Sequence, residues 1–369
     1  MTVATLDATV SPAHDIAVLH RPAAGELQVQ LLEPADERWL SFASSQPSAT
    51  IFHHPAWSRN LADVYGCRPF VVTACDARGK IAAGLPMMDI RSLLTGRRWD
   101  SLPYTDYCPP LYADQKALAA LTEGLVDLFH EKRIPLLELR GDCAEHPMLK
   151  PAAQYALHIL PLEADSARVA AHFERVHKQN IQTAEKNQLS IRRGSDVPAM
   201  REFYMLQVET RRRHGVPVQP WRYFERLATS LMAQGLGSLL LAYKDDQCLA
   251  GLLLLHWRQT VVCKYAASRE DSLPLRPNNL LFWHAIRWGC DNGYRAFDMG
   301  RTDLENTGLR RFKCGWGAPE TMLTYHVLSR APLPAVSKPS VPAFVQNVIR
   351  RSPPSVCRIL GELLYKHYG

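Results

Sequence analysis

Two similar stretches of sequence, 167 residues apart, constrain the fold more than any other feature of the chain. Each stretch predicts two apolar strands joined by a tight polar turn. The second strand of each hairpin carries an alanine-glycine pair, Ala83-Gly84 in the first copy and Ala250-Gly251 in the second. A helix that opens with proline precedes each hairpin. The pattern therefore predicts an internal duplication of one α/β unit, with mixed and mostly antiparallel sheets flanked by helices.

The length of the chain agrees with a duplication. A chain of 369 residues exceeds one ordinary core and fits two domains. We expect a disordered leader at 1–25, a first domain at 26–165, a second domain at 166–330 and a proline-rich basic tail at 331–369.

Composition places the chain among globular proteins, with 47% hydrophobic and 21% charged residues. A net charge of +7 and a pI near 8.9 fit an anionic ligand or a membrane surface, but the charge is too diffuse to indicate nucleic acid by itself. Nine scattered cysteines without a C-x-x-C pair argue against a disulfide framework or a zinc site, so we expect reduced thiols in the core.

The chain shows no sign of secretion or of a membrane span. Residues 1–19 lack a cationic start and an apolar stretch, and the longest apolar run, 249–255, is too short to cross a bilayer. We expect a cytoplasmic protein, at most peripheral to the inner membrane.

The most specific motif begins at 297–301, Phe-Asp-Met-Gly-Arg, and continues at 308–317, Gly-Leu-Arg-Arg-Phe-Lys-Cys-Gly-Trp-Gly. The first part is typical of the end of a buried strand, and a polar loop separates it from a short cationic helix. Leu309 and Phe312 are three residues apart and share a helix face, so Lys313 lies just off the anchored face. This position allows the ammonium group to point into a cleft.

This motif resembles the FemAB family, aminoacyl and acyl transferases built from two acetyltransferase-like (GNAT) domains. The family carries an aspartate-glycine strand end, a Gly-Leu-x-x-Phe-Lys helix and a Trp-Gly pair, which match 298–300, 308–313 and 316–317. The resemblance implies tandem GNAT-like domains. It also implies an N-acyltransferase or aminoacyltransferase that forms an amide on an amino group of a cell-envelope or exopolysaccharide precursor.

Lys313 is the first catalytic candidate. Acyl transfer to an amine builds negative charge on a carbonyl oxygen, which a fixed cationic donor stabilises. The resemblance assigns the matching lysine this role or the binding of donor phosphate, and the alternative is a solvated lysine. Arg301 and Arg310 are expected to hold phosphate, although some of this charge belongs to the surface. Asp298 either fixes the backbone of the glycine loop or touches substrate.

The first half contributes the loop 103–108, which combines a carboxylate with two phenols. We expect Asp106 to accept the proton of an amine and Tyr104 to contact the acceptor. The alternative is that this proline-rich loop simply packs.

Further substrate contacts are expected in the second half. Arg213 closes a helix, where the helix dipole alone explains a cation. The resemblance implies that Arg213 contacts the phosphate of a nucleotide-linked or lipid-linked precursor, and that Tyr265 faces substrate or packs in the core.

Asn278 lies in the loop 276–281, where ordinary acetyltransferases hold coenzyme A with glycines. The loop contains no glycine, which weakens the case for coenzyme A without excluding it. The donor is therefore expected to be either an aminoacyl-tRNA or an acyl-coenzyme A. No metal is expected: His53 and His54 lack a spaced third ligand, so a capping or surface role is favoured.

The competing hypothesis is a non-catalytic GNAT-fold module that binds polysaccharide or lipid-linked precursor at the membrane. The tail bears on this alternative, because from residue 338 it holds five lysines and arginines and one acidic residue. Its apolar residues are Val345, Val348, Ile359, Leu360, Leu363 and Leu364. Such a tail either lies on an anionic membrane or packs on its own domain.

Overall fold

The computed structural model describes residues 27–92, 96–332 and 343–365, so the expected leader lies outside the described residues. Within these residues, thirteen strands form one sheet. The strands are β1 (Gln28–Leu32), β2 (Arg68–Cys75), β3 (Ile81–Ser92), β4 (Gly96–Asp100), β5 (Leu111–Tyr112), β6 (Leu136–Arg140), β7 (Lys150–Pro161), β8 (Ser190–Gly194), β9 (Gly237–Lys244), β10 (Gln247–Trp257), β11 (Thr260–Ser268), β12 (Ala296–Asp303) and β13 (Glu320–Ser329).

Helices flank this sheet. They are α1 (Glu37–Ser45), α2 (Pro55–Tyr65), α3 (Gln115–Glu131), α4 (Ser166–Ala171), α5 (Arg175–Lys186), α6 (Val197–His214), α7 (Trp221–Arg226), α8 (Pro277–Asp291), α9 (Thr307–Cys314), α10 (Ala343–Arg351) and α11 (Pro354–Leu364). In the described residues no helix combines the length and hydropathy that a bilayer crossing requires.

The strand order is β1-β2-β3-β4-β6-β13-β7-β12-β11-β10-β9-β8, with β5 paired to β3. Neighbouring strands are antiparallel except for β4 with β6 and β11 with β12, which are parallel. The predicted fold class, a mixed and mostly antiparallel sheet flanked by helices, is confirmed.

The two hairpins, β2–β3 and β9–β10, pack against a helix in the same way. A Cβ atom at Gly84 would lie 2.6 Å from the ring of Trp39 on α1. A Cβ atom at Gly251 would lie 2.8 Å from the ring of Phe203 on α6. Each half therefore needs glycine where an aromatic ring of a helix packs directly on the second strand of the hairpin.

Strand β13 is a long element that sequence analysis missed. It pairs with β6 on one side and with β7 on the other, so the last strand of the described residues is inserted between strands of earlier sequence. Strand β7, expected in the first domain, pairs with β12 as well as β13. The boundaries 26–165 and 166–330 stay a prediction.

Three predicted elements differ from the structure. The sequence predicts one long helix at 167–187, but the structure interrupts it between α4 and α5, where the amide of Glu174 donates to the carbonyl of Gly315 at 2.8 Å. The helix predicted after Pro220 continues beyond α7 as a π turn and a 3-10 turn. The sequence also predicts a strand at 294–299, and the observed strand β12 extends further because 301–303 pair with 155–157 of β7.

Candidate functional site

A notch opens between β11 and β12. These parallel strands pair only over 260–262 and 296–298. Beyond this point, residues 263–268 remain paired with β10, and residues 301–303 pair with β7. The pairing of the two strands therefore ends at Val262 and Asp298, and the strands diverge beyond these residues.

The loop 103–108 of the first half lies against this notch. The carbonyl of Tyr104 accepts a hydrogen bond from Lys264 Nζ on β11 at 2.9 Å. On the other flank, the hydroxyl of Tyr107 donates to Asp298 Oδ2 on β12 at 2.8 Å. The notch is thus lined by residues from both halves of the chain.

Lys313 reaches the notch from α9. Its Nζ donates to the carbonyl of Gly300 at 2.8 Å and to that of Arg301 at 3.2 Å. The residue is only 5% exposed, so it is not a solvated surface lysine. Burial lowers the pKa of Lys313, an effect that Asp106 and Asp298 oppose.

Asp298 is fully buried beneath the turn at Gly300. Its Oδ1 accepts from the amide of Gly300 at 2.7 Å, and its Oδ2 accepts from Tyr107. Burial raises the pKa of Asp298 to about 6, against the hydrogen bonds from Gly300 and Tyr107. These contacts favour the interpretation that Asp298 fixes the backbone of the glycine turn.

Gly300 brings the two halves together. Its φ is +69°, and a Cβ atom there would lie 2.9 Å from Asp106 Oδ2. A side chain would therefore be strained and would also displace the carboxylate. The same residue bonds Asp298 through its amide and Lys313 through its carbonyl. Asp106, Asp298 and Lys313 consequently converge on one glycine.

Lys264 is a site residue that sequence analysis did not select. Its side chain is 3% exposed, and its Nζ lies 3.7 Å from Asp106 Oδ2, whose side chain is 25% exposed. The ring centres of Phe52, Trp57 and Tyr265 lie within 5.5 Å of the ammonium nitrogen. Burial lowers the pKa of Lys264, which Asp106 opposes. The sequence feature that could have identified Lys264 is a lysine within an otherwise mostly apolar strand.

The two arginines of the motif have different surroundings. Arg301 donates to the hydroxyl of Tyr325 at 2.9 Å, and its guanidinium lies 4.1 Å from the ring centre of Tyr155. Arg310 forms a bidentate ion pair with Glu320, at 2.9 and 2.6 Å. The ion pair favours the surface-charge interpretation for Arg310, whereas Arg301 directly follows the glycine of the notch.

A second polar group lies at the end of β11. Arg213 Nη1 donates to the carbonyl of Ser268 at 3.2 Å, and Asn278 Nδ2 lies 3.4 Å from the Ser268 hydroxyl. The buried Oδ1 of Asn278 has no hydrogen-bond partner. Ser268 lies four positions after Lys264 along the strand, a distance of about 13 Å. The expected substrate residues therefore form two groups along one strand.

The two expected tyrosines lie in an aromatic cluster beside the notch. Tyr104 stacks on Tyr65 with ring centres 4.1 Å apart, and its hydroxyl donates to the carbonyl of Tyr365 at 2.9 Å. The hydroxyl of Tyr265 lies 3.1 Å from that of Tyr223. Burial raises the pKa of both Tyr104 and Tyr265, so both phenols act as neutral hydrogen-bonding groups.

The histidines at 53 and 54 have the capping role expected of them. His53 Nδ1 accepts from the amide of Thr50 at 3.1 Å, and His54 Nδ1 accepts from the amide of Ala56 at 3.1 Å. Each imidazole satisfies a backbone donor near the start of a helical turn.

One group of potential metal ligands occurs within the described residues: atoms of His158, Cys314 and Glu320 lie within 4.8 Å of one another. Arg310 already binds both oxygens of Glu320. Burial and the nearby Lys313 lower the pKa of His158. Two neighbouring cations make this position unfavourable for a metal ion.

Known proteins resemble this chain in sequence and in fold. Residues 170–313 match the family described as Acetyltransferase (GNAT) domain, a match that includes Lys313. A relative from Weissella viridescens, UDP-N-acetylmuramoylpentapeptide-lysine N(6)-alanyltransferase, is 19% identical over 167 residues, which cover 45% of this chain and 49% of the relative. The match thus spans about half the length of this curated relative.

Solved structures share the fold over most of both chains. FemX superposes with a TM-score of 0.63 at 14% identity and covers 81% of this chain and 97% of its own. A tandem GNAT protein from the clavulanic acid biosynthesis pathway superposes with a TM-score of 0.51 at 10% identity, covering 84% and 100%. The resemblance stated from the motif is confirmed: residues 170–313 match a GNAT domain, and the chain is similar to the Weissella alanyltransferase in sequence and to FemX in fold.

Proposed function

We propose that this protein is an N-acyltransferase or aminoacyltransferase that forms an amide on an amino group of a cell-envelope precursor. The observation that carries the proposal is the convergence on Gly300 of a buried ammonium from Lys313 and a partly exposed carboxylate from Asp106. An acyl transfer to an amine requires both a cation for the developing oxyanion and a base for the amine proton.

Lys313 stabilises the oxyanion in this proposal. An ammonium group has three donors, and two of them bind the carbonyls of Gly300 and Arg301. These two bonds orient the third N–H, which donates to the carbonyl oxygen of the acyl group in the notch. Because the carbonyls are neutral, they orient the lysine without cancelling its charge.

Asp106 accepts the proton of the attacking amine. As the amine nitrogen bonds the acyl carbon, the bond from that carbon to the ribose oxygen of the tRNA or to the sulfur of coenzyme A breaks, and the donor leaves as a hydroxyl or a thiol after taking up a proton. Its side chain is 25% exposed, so it can meet a substrate that enters from solvent. Lys264 lies beside it as an ion-pair partner and is itself anchored on the carbonyl of Tyr104. We assign Lys264 as a positioning residue for this carboxylate.

The group around Ser268 binds the phosphate end of the acceptor. Arg213 supplies a cation for the phosphate, and the unpartnered Oδ1 of Asn278 accepts a hydrogen bond from a hydroxyl or amide group of the acceptor. A separation of about 13 Å from Lys264 suits a precursor whose amine is remote from its phosphate. Tyr265 and Tyr104 contact the intervening part of the acceptor, and Arg301 lies next to the reacting centre.

The acceptor named for the Weissella relative is a UDP-N-acetylmuramoyl pentapeptide, and we propose a precursor of this class here. The donor is an aminoacyl-tRNA or an acyl-coenzyme A. Both are cytoplasmic compounds, so the proposal places the protein in the cytoplasm. Contact between the C-terminal tail and a membrane is a separate proposal.

The test is a matrix of donors and acceptors read by intact-mass spectrometry. Purified protein is incubated with alanyl-tRNA or acetyl-coenzyme A, and with UDP-N-acetylmuramoyl pentapeptide or a glucosamine-containing oligosaccharide. We expect one donor to add one acyl mass to the pentapeptide but not to a pentapeptide whose lysine amine is acetylated. An adduct on the oligosaccharide alone would redirect the acceptor to the polysaccharide class.

Two variants complete the test. Lys313→Ala is expected to abolish the mass increase, and Lys186→Ala, at an exposed lysine of α5, is expected to retain it. If no pair of substrates yields product while wild type and Lys313→Ala bind the pentapeptide equally, the protein is a binding module and the proposal is wrong.

A further inference from the structure

The C-terminal segment 343–365 packs on the body of the protein through α10 and α11. Ile349 and Cys357 are fully buried on the inner sides of these helices. The carbonyls of Arg350 and Ser352 accept hydrogen bonds from Arg212 on α6. The tail therefore does pack on its own domain, one of the two arrangements expected from its sequence.

The opposite sides of these helices carry exposed apolar side chains. Phe344 is 78% exposed, Leu363 is 61% exposed and Ile359 is 58% exposed, and these are the three largest values for any large hydrophobic residue in the described parts of the chain. Val348, four residues after Phe344, is 37% exposed. Spacings of four place each pair on one helix face.

Cations accompany these apolar faces. Arg351 lies seven residues after Phe344, two helical turns along the same face of α10, and Arg358 adjoins Ile359 on α11. Both arginines are exposed. The acidic residue of the segment, Glu362, accepts a hydrogen bond from the amide of Trp221. Glu362 is also exposed, but the exposed arginines Arg350, Arg351 and Arg358 outnumber it, so the net exposed charge beside the apolar residues is positive.

We propose that this surface, the C-terminal outer face, docks on an anionic phospholipid membrane. The face consists of Phe344, Val348, Arg351, Arg358, Ile359 and Leu363. Its apolar side chains enter the boundary between headgroups and acyl chains, and its arginines bind lipid phosphates. A second copy of the chain fits this face less well, because a symmetric contact would bring arginines together. The inference goes beyond the proposed activity and does not depend on it.

Vesicle flotation of the full chain tests the inference. Vesicles of phosphatidylcholine alone are compared with vesicles that also contain phosphatidylglycerol. We expect the protein to associate with the anionic vesicles about tenfold more than with the neutral ones. The variants Phe344→Ser/Ile359→Ser/Leu363→Ser and Arg351→Glu/Arg358→Glu are each expected to lose about tenfold in association.

The matched control is Met322→Ser on β13, which removes an apolar side chain that is 55% exposed but lies outside this face. It is expected to float like wild type. Thermal unfolding verifies the fold of every variant, and the charge variant provides the test if the triple serine variant unfolds.

Equal flotation on both vesicle types, or flotation that neither set of variants reduces, overturns the proposal. Light scattering provides the other decisive readout. If wild type is a dimer that the same variants convert to monomers, and anionic vesicles do not bind it, a second copy covers this face and the membrane assignment is wrong.

Discussion

Lys313 and Lys264 approach one notch from different elements, and they differ in what holds them. Lys313 extends from a helix and binds two neutral carbonyls. Lys264 extends from a strand, and its ammonium group donates to a carbonyl. It also lies beside the Asp106 carboxylate and three aromatic rings. Burial lowers the pKa of both. In the proposed function this difference separates two roles: Lys313, whose hydrogen bonds go to carbonyls, keeps a donor for the reacting oxygen, whereas Lys264 orients the carboxylate beside it.

The largest effect is expected from Lys313→Met. Loss of a fixed cation at the oxyanion should lower kcat by about 10² to 10³ while KM changes little, because the interaction forms in the transition state. Steady-state kinetics of amide formation measure both constants. A rise in KM of the same size, with kcat unchanged, would instead identify Lys313 as a contact to the donor phosphate.

Asp106→Asn follows in magnitude. Removing the base should lower kcat/KM by about 10² or more. Steady-state kinetics of amide formation compare this variant with wild type. If the rate survives, the carboxylate beside Lys264 has no part in proton transfer.

Asp298, which shares the Gly300 turn with Lys313, should instead affect the free energy of unfolding. The pKa of Asp298 is raised from 3.8 to about 6, so the native state binds this proton more tightly than the unfolded state. Stability from this group is present below about pH 4 and is lost as the pH rises to 6, by up to about 3 kcal/mol. Urea unfolding of wild type and Asp298→Asn between pH 4 and pH 6 should show this loss in wild type alone. Parallel curves would contradict the assignment.

Lys264→Met is expected to have the smallest effect, a decrease of about tenfold in kcat/KM. If Lys264 acts by positioning Asp106, its removal from the Asp106→Asn variant should cause no further loss. A double-mutant cycle measures this coupling. Additive losses would show that Lys264 acts on the reaction independently and would remove the distinction between the two lysines.

Local pattern predicted much of the molecule. The hairpins at β2–β3 and β9–β10 and the helix α6 follow from alternation, turn residues and caps. These features depend on neighbouring residues, so a single sequence contains them. The motif around Lys313 was also local. It identified the helix, the glycine turn and the family resemblance that comparison confirmed.

What only the tertiary structure decided involves pairs distant in sequence. The insertion of β13 between β6 and β7, the contact of Tyr107 with Asp298 and the pairing of Lys264 with Asp106 each join segments far apart along the chain. Local periodicity cannot predict such contacts, because they join segments that are far apart in sequence. These segments come together only when the whole sheet, including the divergence of β11 from β12, has formed. The sequence by itself predicted the repeated hairpins and the motif around Lys313, and the assembled sheet decided which charged groups meet in the notch.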